Sequence, residues 1–461
     1  MATSYVRDGE LPLLLLGPMV RKVTPRSAAV FVVLSKAATV ELSIQAGTAP
    51  GGAAVARASV STRPLGAKLH VALVEWREEA DKLDRGVVYG YDLAISVSGG
   101  ASFTSLAKLS PNLLGGDCPL GYRDGHLPSF VLPQGLDDLV LLYASCRKAH
   151  GGGPDMLPQV DEQIAGWVGR ADEGKRRPQQ LVLGGDQVYA DDVQARLRQA
   201  AAELGLLLLG WPAGKDGGEV VLGNIAIDNA FVATPNLRTT VLVTAGFKTF
   251  FEEYTLNHLL FFCEWVGLYM LAWSPELWQP TGGARHPYAL GDTGPSSDDK
   301  KAPYAHYGEV LDYAAGLPQV RRALANIATY MIFDDHEITD DWYLDGRVNI
   351  RQRGNALGHS ILRNGLAAYA VFQDWGNRPE DYSPGGMGNK ILDWIEQRGP
   401  IDNPTGLDVI LDVGATQLPW PSRNTRKHWH YLIEGPEHEV LVLDTRTWRA
   451  FPGLPHEPAQ L

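Results

Sequence analysis

The chain has 461 residues, of which 45% are hydrophobic and 20% are charged, and its net charge is −12. This length exceeds one ordinary hydrophobic core, so we expect two domains of a globular protein. The negative charge argues against a nucleic-acid-binding surface and gives an anionic substrate no electrostatic help, so local cations would have to bind such a substrate.

The cysteine content and the start of the chain bear on the compartment. Cys118, Cys146 and Cys263 are too few for a disulfide framework, which favours a reducing environment. The apolar stretch 11–16 follows charged residues and is shorter than a signal-peptide core or a membrane span. Since no twin-arginine opening is visible, we predict a cytoplasmic protein without a membrane span.

The first part of the chain has the pattern of short β-strands. Residues 28–34 form a continuous apolar run, and residues 40–44 alternate between apolar and polar with a period of two. Strands at this spacing, with Gly, Pro and Ser between them, predict a β-sandwich. We therefore predict an N-terminal β-sandwich domain with a Gly- and Pro-rich connector over residues 1–135. No chemistry is evident in it.

From residue 139 onward the pattern alternates between strands and helices, as in an α/β fold. Residues 139–143 and 181–183 are apolar, strand-like runs, and residues 193–206 are rich in Ala, Leu, Gln and Arg, as a helix would be. We predict that residues 136–461 form this second domain.

Two junctions between a strand and a loop carry most of the chemical information. The first strand pattern ends in Gly184, Gly185 and Asp186, and Tyr189 follows three residues after that aspartate. The second, over residues 330–333, ends in four polar residues. These are Asp334, Asp335, His336 and Glu337. Adjacent carboxylates at the end of an apolar strand cost free energy unless a cation or strong donors offset them.

Carboxylates and an imidazole at the carboxyl edge of a sheet are typical of a metal-assisted hydrolytic site. We therefore predict such a site at these junctions. Acidic turns also follow strands simply because aspartate favours turns, and this alternative stays open for Asp186 alone. A carboxylate behind His336 would fix its tautomer, and Glu337 and Asp340 are the candidates for that support.

Cys146 and the loop after it are further candidates. On the residues alone, Cys146 is a small apolar residue at a strand end. Arg147, Lys148 and His150 follow it in a loop that ends in three glycines, where cations and backbone amides could cradle a phosphate. We assign Arg147 and His150 to substrate binding, and a solvated basic turn is the alternative.

Four segments together resemble the PhoD-like phosphatases, the alkaline phosphatase D group of the metallophosphoesterases. They occur in that family's order and span residues 139–448. They are Ala-Ser-Cys-Arg (144–147), Gly-Asp-Gln-Val-Tyr-Ala-Asp (185–191), Asp-Asp-His-Glu (334–337) and Leu-Val-Leu-Asp-Thr-Arg (441–446). The resemblance implies an α/β fold in which the N-terminal β-sandwich is followed by a metallophosphoesterase-type αββα sandwich.

The resemblance also implies a two-metal site that hydrolyses phosphate monoesters or diesters. Asp186 would bridge the metals, Tyr189 and Cys146 would bind one of them, and Asp335 would bind the other. His336 would contact the phosphate and protonate the leaving group. The implied metals are iron and calcium, with zinc or manganese as alternatives. The tyrosine favours iron, because a phenolate is a good ligand for ferric ion. The substrate would be a small-molecule, lipid or nucleotide phosphoester.

One departure from the family concerns the end of the chain. Metallophosphoesterases usually have a late Gly-Asp-x-His or Gly-His-x-His motif, and none follows Asp444. We expect either a chain that lacks its C-terminal end or a site that another residue closes or that has fewer ligands. His428 and His430 would be a ligand pair or exposed strand histidines. The rival hypothesis is a non-catalytic scaffold or binding protein with a degenerate metallophosphoesterase fold. The oligomeric state stays open.

Overall fold

The structure is a computed structural model of the chain, in which ten segments are described. They are residues 11–97, 102–210, 220–222, 225–227, 235–248, 256–278, 306–397, 405–414, 426–449 and 451. Within them the fold is a mixed α/β fold with one parallel sheet and several antiparallel ones.

Strands between residues 14 and 131 of the described segments form two antiparallel sheets. One has the strand order β1-β2-β6-β5 and the other has the order β4-β3-β7-β8, with β9 paired to β7. Their bounds are β1 Leu14–Thr24, β2 Ser27–Leu34, β3 Ala38–Ala46, β4 Ala54–Ser61, β5 Arg63–Gly66, β6 Leu69–Arg77, β7 Val88–Val97, β8 Thr104–Ser105 and β9 Ser129–Val131. All of β2 is buried, as its continuous apolar run predicts, and β3 alternates between buried and half-buried residues.

The parallel sheet has the order β10-β11-β14 and consists of β10 Leu141–Ala144, β11 Gln180–Leu183 and β14 Ala328–Met331. All residues of β11 and β14 are buried, which explains why the sequence shows apolar runs rather than alternation. The predicted strands 181–183 and 330–333 overlap these two. Because the strands are parallel, their carboxyl ends meet at one edge of the sheet.

Helices and two further hairpins surround this sheet. The helices are α1 Leu106–Leu109, α2 Pro111–Leu114, α3 Pro158–Ala165, α4 Glu173–Arg176, α5 Ala195–Leu209, α6 Pro235–Thr244, α7 Phe262–Trp273, α8 Tyr307–Ala315, α9 Leu317–Leu324, α10 Gly346–Arg353, α11 Ala356–Tyr369, α12 Met387–Glu396 and α13 Thr405–Leu411. The hairpin strands are β12 Val220–Leu222 with β13 Ile225–Ile227, and β15 Tyr431–Glu434 with β16 Glu439–Val442. Among the helices of the described segments, none combines the length and the apolar character that a membrane span requires.

The helix α7 is apolar on every side, and all twelve of its residues are buried. It packs against α5 through two glycines. A Cβ atom on Gly205 would lie 1.8 Å from the carbonyl oxygen of Cys263, and one on Gly267 would lie 1.8 Å from that of Ala201. The two helices can therefore approach closely only because these positions lack side chains. This contact fixes α7 beside the loop that follows β11.

Arg21 on β1 joins the first antiparallel sheet to the parallel sheet. Its fully buried guanidinium donates hydrogen bonds to the carbonyl oxygens of Thr329 (2.9 Å) and Gln373 (2.7 Å) and to Oδ1 of Asn377 (3.0 Å). Burial lowers the pKa of Arg21 to about 10. A buried charge is tolerated when it is hydrogen-bonded in this way, so the β-rich part packs directly on β14. A domain boundary at residue 135 stays a prediction.

Candidate metal centre

The loops that follow the three parallel strands meet at the carboxyl edge of the sheet. Ligand atoms of Asp186, Asp335 and His336 lie within 4.8 Å of one another. Sγ of Cys146 lies 3.4 Å from Oδ2 of Asp186, and no disulfide involves this cysteine. Tyr189 stacks on His336, with ring centroids 4.3 Å apart and an interplanar angle of 27°. The structure thus brings the five proposed metal-binding and catalytic residues together.

The backbone of these loops adopts conformations that place the ligands side by side. Asp186 and Cys146 have φ angles of 54° and 59°, in the left-handed region that non-glycine residues rarely adopt. The amide of Cys146 donates to the carbonyl of Gly185 (3.1 Å), and the amide of Arg147 donates to that of Asp186 (2.7 Å). Each left-handed residue costs on the order of 1 kcal/mol, and such strain is concentrated at functional sites.

Glu337 links the two strand-to-loop junctions through hydrogen bonds to backbone amides of both. Its buried carboxylate accepts hydrogen bonds from the backbone amides of Asp186 (3.0 Å), Gln187 (2.8 Å) and Asp334 (2.9 Å). Nε2 of Gln373 donates a fourth, at 3.1 Å. Burial raises the pKa of Glu337 to about 8 and Asp186 adds to the rise, while the amide donors oppose it. Its contacts are therefore structural, and Glu337 does not support His336 as the sequence suggested.

Asp191 supports His336 instead. Nδ1 of His336 lies 2.9 Å from Oδ1 of Asp191, and Nε2 of His336 lies 3.8 Å from Oδ1 of Asp340. Burial alone would lower the pKa of His336, but its hydrogen bond to Asp191 and the charges of Asp191, Asp186 and Asp335 raise it to about 9. Sequence reasoning missed this role, although Asp191 is the last residue of the motif 185–191.

The centre concentrates negative charge, and one arginine offsets part of it. Burial raises the pKa of Asp186 to about 6, and the carboxylates of Asp335 and Asp334 add to that rise while His336 opposes it. Arg446 forms ion pairs with Asp334 and, at 3.0 Å, with Oδ1 of Asp335. Asp334 is thus engaged by Arg446. A cation at Asp186 would relieve the remaining repulsion.

The donor atoms fit a metal ion. Carboxylates and an imidazole are ligands for divalent and trivalent cations of several kinds, and Cys146 adds a sulfur donor beside Asp186. Burial raises the pKa of both the Cys146 thiol and the Tyr189 phenol, and the charge of Asp186 raises them further. Neither group would therefore ionise near neutral pH unless a cation stabilised its anion. A second acidic group, made by Asp335, Asp340 and Asp341, adjoins the first.

The two residues that the sequence assigned to substrate binding are engaged elsewhere. Each guanidinium nitrogen of the buried Arg147 has a partner: Nε and Nη2 bind Asp155 (2.9 and 2.8 Å), and Nη1 donates to the carbonyl of Ala272 (2.7 Å). The side chain of His150 is largely buried, and its Nε2 lies 3.4 Å from Oδ1 of Asp192. These contacts favour structural roles for both side chains.

His428 and His430 lie outside this cluster. Their rings are 5.3 Å apart, each is 5.1 Å from the ring of Trp448, and both line a separate pocket of about 450 Å³ beside β15 and β16. Neither belongs to a group of three or more metal-binding side chains among the described residues. Asp444 accepts hydrogen bonds from the amides of Arg446 (3.0 Å) and Thr447 (2.8 Å), so its turn presents Arg446 to the centre.

Comparison with known proteins gives only distant likenesses. No protein-family model and no curated protein matches the chain. A solved structure of PhoD is 10% identical, with a TM-score of 0.34 over 78% of this chain and 47% of that one. A β-glucuronidase from glycoside hydrolase family 2 is 14% identical, with a TM-score of 0.15 over 36% of this chain and 17% of that one. The chain thus spans about half the length of the PhoD structure, and at these TM-scores neither likeness carries an argument.

Proposed function

We propose that the chain is a metal-dependent phosphoesterase of the PhoD-like type that hydrolyses phosphate monoesters or diesters. The observation that carries the proposal is the convergence of Asp186, Asp335 and His336, whose ligand atoms lie within 4.8 Å of one another, with Cys146 beside them. The proposed architecture is an N-terminal β-sandwich over residues 1–135 and a metallophosphoesterase-type αββα sandwich over residues 136–461.

In this proposal Asp186 lies between two metal sites. Cys146 and Tyr189 would bind the first metal together with Asp186. Asp335 would bind the second metal together with Asp186. Iron and calcium are the proposed metals, with zinc and manganese as alternatives. When bound, the metals would neutralise the phosphate oxygens and supply a hydroxide at neutral pH.

His336 would move the proton that the leaving oxygen needs. Asp191 accepts a hydrogen bond from Nδ1, which fixes the ring orientation and stabilises an imidazolium. The second nitrogen, Nε2, is then the one that can carry a proton toward the substrate. The half-buried ring, with one face stacked on Tyr189, keeps that proton near the centre.

The test combines metal analysis with hydrolysis. The purified protein should contain a transition metal or calcium, and it should release 4-nitrophenol from 4-nitrophenyl phosphate or from its bis-ester. Asp186→Asn should lose metal and activity together, whereas Asp393→Asn, which removes a partly exposed carboxylate paired with Arg63, should keep both. Metal-free protein that stays inactive after each of the four cations is added would refute the proposal.

One observation favours the rival hypothesis of a non-catalytic scaffold. Arg446 forms ion pairs with Asp334 and Asp335, so a guanidinium already offsets part of the negative charge that a second cation would otherwise offset. Arg446→Met separates the two hypotheses. If Arg446 replaces a metal, the variant is destabilised and still inactive. If Arg446 assists an enzyme, turnover falls while metal at Asp186 is retained.

A further inference from the structure

A narrow apolar slot lies next to the candidate metal centre. Tyr189 lines the slot and also stacks on His336, so one residue belongs to both. Gln187 and Val188, which directly follow Asp186, also line the slot. The slot therefore adjoins the centre through Tyr189.

The slot is lined mainly by aliphatic and aromatic side chains. They come from the loop after β11, from α5, from the fully buried helix α7, from the short helical turn Glu276–Trp278 and from α8. They include Val188, Val193, Leu268, Leu271, Trp278 and Tyr313. The slot has a volume of about 350 Å³ counted with its open mouth, but only about 20 Å³ can hold the centre of a water molecule. The whole slot is thus slender, with room for about one water position.

The polar groups in the slot are mostly satisfied within the protein. Arg147 binds Asp155 and the carbonyl of Ala272, and Asp192 forms an ion pair with Lys148 and lies 3.4 Å from Nε2 of His150. Gln187 is the exception, because its Oε1 is buried without a hydrogen-bond partner among the described residues. One free acceptor is too few for the several hydroxyls of a sugar or nucleoside, whose burial without partners would be costly.

We propose that this slot binds the organic group of the phosphoester, and that the preferred group is short and apolar rather than a sugar or a nucleoside. The inference rests on the proposed function, because the phosphate must bind at the centre for its ester group to enter the slot. An apolar group that enters the slot displaces water from its apolar walls. Each buried methylene should therefore raise the affinity roughly fourfold.

The test is calorimetric binding of methyl-, ethyl-, propyl- and butylphosphonate to the protein as purified, whose metal content is measured first. Phosphonates carry the phosphate-like head but resist hydrolysis, so binding is measured apart from activity. We expect the affinity to rise about fourfold from methyl- to ethylphosphonate and to level off for the longer chains, because the slot has room for about one water position. Ala272→Leu, which narrows the slot, should abolish the rise and leave methylphosphonate binding unchanged.

Two further variants complete the design. Ala314→Leu adds the same atoms at a half-buried position on α8 that does not line the slot, and it should keep the full chain-length effect. If Ala272→Leu does not fold, Leu268→Ala widens the slot and should raise the affinity for butylphosphonate relative to ethylphosphonate. An unchanged profile in that variant would contradict the proposal.

The outcomes separate this inference from the proposed function. Equal affinity for all four phosphonates, with metal-dependent binding retained, would contradict the proposal that the slot binds the organic group. The phosphoesterase proposal would remain intact. Absence of any metal-dependent phosphonate binding would overturn the phosphoesterase proposal, and this inference with it.

Discussion

Asp191 holds His336 by a 2.9 Å hydrogen bond between Oδ1 and Nδ1, although 145 residues separate the two in the chain. Oδ2 of Asp191 also accepts the backbone amide of Asp340 at 2.5 Å, so the same carboxylate fixes the loop that carries the histidine. Asp191 is therefore a positioning residue, and its two contacts orient the ring toward the centre.

Asp191→Asn should reduce kcat about 10- to 100-fold, because the ring loses the anion that stabilises its protonated form. The metal content should not change, since Asp191 is not among the proposed ligands. A nitrogen NMR titration of His336 should show a lower pKa in the variant. Asp192→Asn is the matched control, because that carboxylate pairs with Lys148 instead. Equal kcat in both variants would show that the contact has no role in turnover.

Glu337→Gln should destabilise the protein by about 2–4 kcal/mol, because the new amide group would face a backbone N–H where the carboxylate accepted one. Denaturation in urea at pH 9, where Glu337 with its pKa of about 8 is ionised, measures this change. Glu437→Gln is the control, since Glu437 accepts a single amide hydrogen bond, from exposed Leu136, at 3.1 Å. A change below about 0.5 kcal/mol in Glu337→Gln would mean that the two junctions do not depend on it.

Removal of the metal should lower the stability of the protein, because the carboxylates of Asp186 and Asp335 would then repel each other without a cation between them. Ligand at 100 times its Kd stabilises a folded protein by about 2.7 kcal/mol, so treatment with a chelator should lower Tm by several degrees and the metal should restore it. Differential scanning calorimetry measures both steps. In Asp186→Asn the chelator should have little effect, and a full shift there would place the metal elsewhere.

The metal-free protein should lose stability as the pH rises from 4 to 9. Asp186 has a pKa of about 6 in the folded chain against an ordinary value of 3.8, so folding binds its proton more tightly and the stability from this group falls between pH 4 and 6. His336 has a pKa of about 9 against 6.5. Its contribution is complete below pH 6.5 and is lost as the pH rises through 9.

The pH dependence is measured as the free energy of unfolding of the chelated protein in urea. Asp186→Asn should reduce the loss of stability between pH 4 and 6, and His336→Gln should reduce the loss between pH 6.5 and 9. Glu337, with a pKa of about 8 against an ordinary value of 4.5, contributes to the remaining loss in both intervals. Wild-type stability that rises over either interval relative to its variant would contradict the sign argued here.

The positions of the main site residues could be predicted because local pattern and topology agree. An apolar run that ends in aspartate marks a strand end, and parallel strands place such ends at one edge, so Asp186 and Asp335 had to converge once the sheet formed. The β-rich start was visible for a similar reason, since the run 28–34 and the alternation at 40–44 are properties of single strands.

The partners of charged side chains could not be predicted in this way. Arg147 follows the site motif and resembles a phosphate ligand in sequence, but Asp155 and the carbonyl of Ala272 draw it into the protein interior. Asp191 and Glu337 are both acidic neighbours of the motifs, and only the fold shows that the first orients His336 and the second holds the backbone. Each such pairing depends on elements that are distant in sequence.

The buried contacts of Arg21 constrain the order in which the chain can fold during synthesis. Its strand is translated early, but Thr329 and Gln373 follow 308 and 352 residues later. Until those residues leave the ribosome, the guanidinium has no native acceptors, and burying it would cost several kcal/mol. The first sheet therefore cannot settle into its final packing before most of the chain exists. Contacts of such long range slow folding, because distant segments must meet before the contacts can form.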